Sequence, residues 1–184
     1  MKLQPVHFPY FFYGTLMNGG KYYDRIKPFQ SKIECAFVHG RLYYNEYLDE
    51  NGNASVTAAL EPVGAQRIRG HIFHALPERA LELQHHLDEL EFNFHRPGVP
   101  SHPDAGGRDR VYLRNIISCY TESGESFLAW CYLYYSAEHP LEVLIDENEH
   151  IETLVEFKPI THPEFLQLRA LRARARAAAV PAAQ

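Results

Sequence analysis

The chain has 184 residues, a length that suits one domain. Hydrophobic residues make up 46% and aromatic residues 13% of it, enough for a packed core and against disorder. The net charge of −5 argues against wrapping nucleic acid as a main task.

Three cysteines, Cys35, Cys119 and Cys131, form an odd count with no CxxC pair. They read as reduced thiols of a cytoplasmic protein. Cys119 and Cys131 lie on apolar segments and read as buried small hydrophobes. The opening stretch MKLQPVHFPYFFYGTL is interrupted by Pro5, Pro9 and Gly14 and shows no small-x-small cleavage site, so it is not read as a signal peptide. No apolar run is long enough to span a bilayer.

In chain order, Tyr10 to Tyr13 is aromatic and predicts a first strand, broken by Gly14-Thr15. A short helical stretch is expected near Tyr22 to Ile26, between Gly19-Gly20 and Pro28. Ala36 to Tyr44 predicts a second strand, and the DENGN segment from Asp49 to Asn53 a turn. Ser55 to Leu60 and Arg67 to Phe73 read as two further strands, separated by Pro62 and Gly64. Pro77 to Leu90 is the clearest helix, with proline in its first turn and Ala80, Leu83, Leu87 and Leu90 in one apolar stripe. Phe92 to Arg110 is a long polar loop rich in Pro, Gly and His.

Val111 to Cys119 and Ser126 to Tyr135 predict two strands joined by a turn at Ser123-Gly124. The second of them is apolar on both faces, which suits an inner strand. Leu141 to Phe157 is ambiguous, with helical pieces plausible. Thr161-His162-Pro163-Glu164 has the form of a capping box opening a final helix, which runs into an Ala/Arg-rich tail. The expected fold class is α+β: a small mixed, mostly antiparallel β-barrel with helices packed outside. Residues 1–160 form the main domain, and 161–184 the C-terminal helix and tail.

Three features carry chemistry. The turn Tyr13-Gly14-Thr15-Leu16 ends a strand and leaves several backbone N–H groups without strand partners, a nest suited to a carboxylate or a developing oxyanion. An ordinary strand-to-helix turn is the alternative. The second is Leu87-Asp88-Glu89-Leu90-Glu91. Glu91 falls four residues after Leu87 and shares the buried face, Asp88 lies at its flank, and Glu89 points to water. Burial and the helix C-terminus both push the Glu91 carboxyl upward, toward the range useful for proton transfer. A frayed helix end with Glu91 in water is the alternative. The third is Tyr112-Leu113-Arg114, where Tyr112 and Arg114 share a strand face. Arg114 could offset a buried carboxylate, bind a substrate carboxylate, or close a salt bridge at the rim.

In this order the pieces resemble the gamma-glutamylcyclotransferase-like family, including the gamma-glutamylamine cyclotransferases. The resemblance rests on Tyr13-Gly14-Thr15-Leu16, Gly40-Arg41-Leu42-Tyr43, Ile68-Arg69-Gly70-His71-Ile72, Leu87-Asp88-Glu89-Leu90-Glu91 and Tyr112-Leu113-Arg114. It covers residues 10 to 135 and departs from the family pattern at Phe92 and in the loop that follows.

The resemblance implies Glu91 as the catalytic acid/base. The substrate-binding residues expected with it are Tyr13, Gly14, Thr15, Leu16, Tyr112 and Arg114. The implied reaction is intramolecular: the α-amine of a γ-glutamyl amine or peptide attacks its own γ-carbonyl and releases 5-oxoproline. That chemistry requires no metal and no cofactor. The implied partner is a small-molecule γ-glutamyl substrate, with neither nucleic acid nor membrane; the oligomeric state and the leaving group stay open. The competing readings are a non-catalytic small-molecule-binding scaffold of the same fold, a metal enzyme built on some of the 11 histidines, and a nucleic-acid or protein-binding module using the basic tail of Arg169, Arg172, Arg174 and Arg176.

Overall fold

The computed structural model describes residues 7–48, 51–92, 112–134, 143–145 and 154–179. In chain order these form β1 (Tyr10–Phe12), α1 (Tyr23–Ile26), β2 (Gln30–Leu48), β3 (Ala54–Ala75), α2 (Ala80–Phe92), β4 (Tyr112–Tyr120), β5 (Ser126–Tyr134), β6 (Val143–Leu144), β7 (Leu154–Val155) and α3 (His162–Ala179). One-turn 3-10 helices precede β2 at Lys27–Phe29 and α2 at Pro77–Arg79.

Five strands close on themselves. β1 lies between β3, antiparallel, and β5, parallel, where Tyr10 faces Trp130. β5 pairs with β4, β4 meets β2 where Phe37 faces Tyr120, and β2 pairs with β3 along its length, completing the ring. β6 and β7 extend the sheet beside β2 and β3. The inner position expected for the SFLAWCYLYY strand is the one observed for β5, between β4 and β1.

Two expectations are corrected. The two strands foreseen on either side of Pro62 and Gly64 are one strand, β3. Gly40 faces Gln66 while Arg41 faces Glu61, so residues 62–65 bulge outward and the pairing resumes beyond them. A bulge accommodates a proline that lacks an N–H without ending the strand. The helical pieces considered within Leu141 to Phe157 are not seen in its described parts. Val143–Leu144 and Leu154–Val155 instead form short strands paired with β2 and β3. The Phe92 to Arg110 loop lies outside the described residues from position 93 onward.

Because strand side chains alternate, β1 feeds two cores. Phe11 and Tyr13 join Leu42, Leu60, Ile68 and Cys131 in one cluster, which reaches Phe165 of α3. Tyr10 and Phe12 join Phe73, Tyr112 and Tyr132 with Leu83, Leu87 and Leu90 of α2 in the other. The predicted stripe of α2 is thus its buried face; Leu83 and Leu87 are 0% exposed, each contributing about 1.5–3 kcal/mol by removal from water. β1 approaches β3 closely at Gly70. A Cβ there would lie 2.4 Å from the Phe12 carbonyl oxygen and 2.5 Å from the Phe11 ring, so only glycine lets the two strands meet. The capping box is formed: the Thr161 N–H and hydroxyl both donate to Glu164 Oε2 at 2.7 Å.

Candidate active site

At the end of β1 the chain turns sharply. Met17 N–H donates to the Gly14 carbonyl at 3.0 Å and Tyr22 N–H to the Thr15 carbonyl at 2.9 Å. The N–H groups of Gly14, Thr15 and Leu16 donate to no acceptor among the described residues. The turn borders a cleft of about 360 Å³, its open mouth included. Phe11, Phe12, Thr57, Ala58, Glu91, Tyr112 and Tyr132 complete its lining. Gly14 packs so closely on the opposite strand that a Cβ would come 2.9 Å from the Ala58 Cβ.

Glu91 reaches this cleft because α2 carries it on the same face as Leu83 and Leu87. Glu91 is buried, and burial pushes its carboxyl up to about 8, with the neighbouring Asp88 carboxylate adding to the rise. Glu91 lies in the last turn of α2, as the sequence predicts, and Asp88 is a further cause of the rise that the sequence reading did not name. No hydrogen bond or cation from the described residues offsets the burial. A carboxyl in that state takes and gives up a proton near neutral pH.

Tyr13 donates its phenol to the Tyr132 carbonyl at 2.6 Å, and burial holds that phenol well above its ordinary range. Tyr112 presents its ring to the cleft while its hydroxyl donates to the Ala58 carbonyl at 2.7 Å and accepts from Asn45 Nδ2 at 3.1 Å. Burial raises the Tyr112 phenol too. Both phenols are therefore neutral walls that fix backbone.

Arg114 takes a different place. It does not line the cleft, and its Nη1 reaches both oxygens of Asp88, at 3.0 and 2.9 Å. The structure therefore brings together Tyr13, Gly14, Thr15, Leu16, Glu91 and Tyr112, and sets Arg114 behind them. Sequence reasoning missed Tyr132, Thr57 and Ala58. Tyr132 could have been found from hairpin register, since it faces Arg114 across β4 and β5. Thr57 and Ala58 carry no local signal.

Residues 10–152 match the family described as Gamma-glutamyl cyclotransferase, AIG2-like. The chain belongs to this family. The gamma-glutamyl cyclotransferase match begins at β1 and includes the turn, α2, β4 and β5, so it spans every element that builds the cleft. A barrel with outer helices is the family's fold. Among solved structures, the chain is similar to an uncharacterized protein from Homo sapiens, at 11% identity and TM-score 0.44, covering 95% of this chain and 81% of that one. It is also similar to an AIG2-like protein from Mus musculus, at 16% identity and TM-score 0.39, covering 82% of this chain and 96% of that one. No curated protein matches the chain. Among the described residues, no helix of this gamma-glutamyl cyclotransferase family member is long and apolar enough to cross a membrane.

Proposed function

We propose that the protein is a gamma-glutamyl cyclotransferase that releases 5-oxoproline from a γ-glutamyl amine or peptide, with Glu91 as general acid/base. The observation that carries this reading is the buried Glu91 carboxyl facing, in one cleft, a turn with three uncommitted N–H groups. Those N–H groups suit the α-carboxylate of the glutamyl unit or the oxyanion at its γ-carbon. The α-ammonium, seated beside Glu91, offsets the cost of ionising that carboxyl.

Glu91 as carboxylate takes a proton from the ammonium, and the freed amine attacks the γ-carbonyl. The C–N bond to the leaving group then breaks as Glu91 returns the proton to the departing nitrogen, and the ring nitrogen gives up its second proton, through Glu91, to the released amine. Nucleophile and electrophile belong to one molecule, so the cleft chiefly holds the folded conformer in which they meet. Free cysteines, two of them buried, fit a cytoplasmic setting.

Linkage selectivity tests the reading. Purified protein is incubated with γ-glutamyl-lysine derivatives, glutathione and an α-glutamyl dipeptide, and 5-oxoproline is followed. Only the γ-linked compounds are expected to yield it. In an α-glutamyl peptide the amine and the scissile carbonyl share one carbon, and their closure needs a three-membered ring. Equal turnover of both linkages would indicate a hydrolase. No turnover of any γ-glutamyl compound would indicate a scaffold that binds without reacting.

A further inference from the structure

Behind the cleft, one carboxylate collects two partners from the hairpin opposite. Asp88 sits three residues before Glu91 on α2, one turn back on a neighbouring face. It receives Arg114 Nη1 of β4 at 3.0 and 2.9 Å and the Tyr132 hydroxyl of β5 at 2.7 Å. Arg114 and Tyr132 face each other directly in the antiparallel pairing, which is why both reach the same carboxylate. Of these groups only Tyr132 borders the cleft. Arg114 is also stacked over the Trp130 ring, with 5.1 Å to its centroid, and the ion pair is largely withdrawn from water, each side chain 21% exposed. A rim salt bridge formed only for solubility would be more exposed and would not be tied to a wall of the active site.

We propose that Asp88 and Arg114 are positioning residues, a pair of opposed charges behind the cleft that tunes Glu91 without either one touching the substrate. This rests on the reading of Glu91 as the group that carries the proton. The groups interacting with Glu91 from the packed elements are Asp88 of α2, Tyr13 at the end of β1, Tyr112 of β4, and Cys131 and Tyr132 of β5. The three phenols and the thiol are all raised by burial and stay neutral near pH 7. Tyr10, which faces the Asp88–Arg114 pair, is pushed up to about 12 and is neutral as well. Among the described residues, the charge that acts on Glu91 is therefore the Asp88 carboxylate, which disfavours its ionisation; the Arg114 guanidinium enters through that carboxylate, whose charge it offsets. Two carboxyls on one helical turn are thereby made unequal: one is committed to an ion pair, and the other is left bare in the cleft to exchange its proton.

The test reads Glu91 itself. In full-length protein labelled with 13C at glutamate side-chain carboxyls, the Glu91 signal is assigned by its loss in Glu91→Gln and titrated in wild type, Asp88→Asn, Arg114→Gln and Arg114→Lys. Asp88→Asn is expected to lower the Glu91 midpoint by about a unit. Arg114→Gln is expected to raise it by about half a unit, and Arg114→Lys to return it near wild type. In the pH profile of kcat/KM the acid limb should move with the same signs. A merely structural pair behaves differently: loosening the packing admits water and lowers the midpoint in both variants. A downward shift in both, or no shift in either, would overturn the proposal. The titration needs no turnover, so loss of the cyclotransferase reading would show separately, as a Glu91→Gln protein no slower than wild type.

Discussion

The Tyr13 phenol donates to the Tyr132 backbone carbonyl at 2.6 Å, joining the Gly-Thr turn at the end of β1 to the strand whose Tyr132 side chain reaches Asp88. One residue of β5 thus touches both halves of the site, the turn through its carbonyl and α2 through its hydroxyl. Tyr13→Phe removes the donor and leaves that buried carbonyl short of a partner. A loss of about 1–3 kcal/mol in urea denaturation is expected. KM for a γ-glutamyl substrate should rise more than kcat falls, because the phenol holds the turn in place and carries no proton in the reaction.

Glu91→Gln should separate activity from stability. Turnover is expected to fall by about two to four powers of ten, the usual contribution of a general acid/base, with an unchanged circular dichroism spectrum. Stability should change in the opposite sense. The folded carboxyl titrates at about 8 against an ordinary 4.5. Below pH 4.5 both states hold the proton and no penalty exists. As pH rises from about 4.5 to 8 the unfolded chain releases its proton while the folded chain retains it, so wild-type stability falls across that window and levels off above it. The glutamine variant escapes this loss. Its advantage over wild type should grow from pH 5 to 9 by an amount on the order of 4 kcal/mol, as read by chemical denaturation at each pH. A constant difference between the two proteins would contradict a raised Glu91.

Gly14→Ala tests the close approach of the turn to β3. Its new Cβ would sit 2.9 Å from the Ala58 Cβ, and the resulting shift should cost about 1–3 kcal/mol and raise KM. Combining it with Ala58→Gly removes the opposing methyl. The pair should recover most of the loss in a double-mutant cycle. Simple additivity would mean that the turn is not pressed against β3.

Removal of the chain from Ala173 onward should leave turnover unchanged. α3 is attached to the barrel earlier in its length, by the buried Phe165, by the His162–Glu46 pair and by Arg169 on Glu46 at 3.6 Å. Residues 173–178 are exposed. A large fall in turnover at an unchanged melting temperature would show that the tail contributes to the site.

The elements legible from the chain alone are those whose information is local. A 3.6-residue period places Ala80, Leu83, Leu87, Leu90 and Glu91 on one side of α2, and no distant contact is needed to see it. The capping box at Thr161 and the Gly-Thr turn after β1 depend on neighbours within a few residues. What could not be read depends on partners far along the chain. Pro62 and Gly64 look like a strand end until β2 is laid beside them and the pairing resumes after a bulge. Arg114 has several candidate roles in the sequence. Barrel closure selects Asp88, because β4 and β5 pack across α2 and bring guanidinium, phenol and carboxylate together. Thr57 and Ala58 enter the cleft only because β3 passes opposite the turn. Local periodicity set Glu91 on the buried face of its helix; the ring of strands made that burial a cleft, with the uncommitted donors of the turn at its wall.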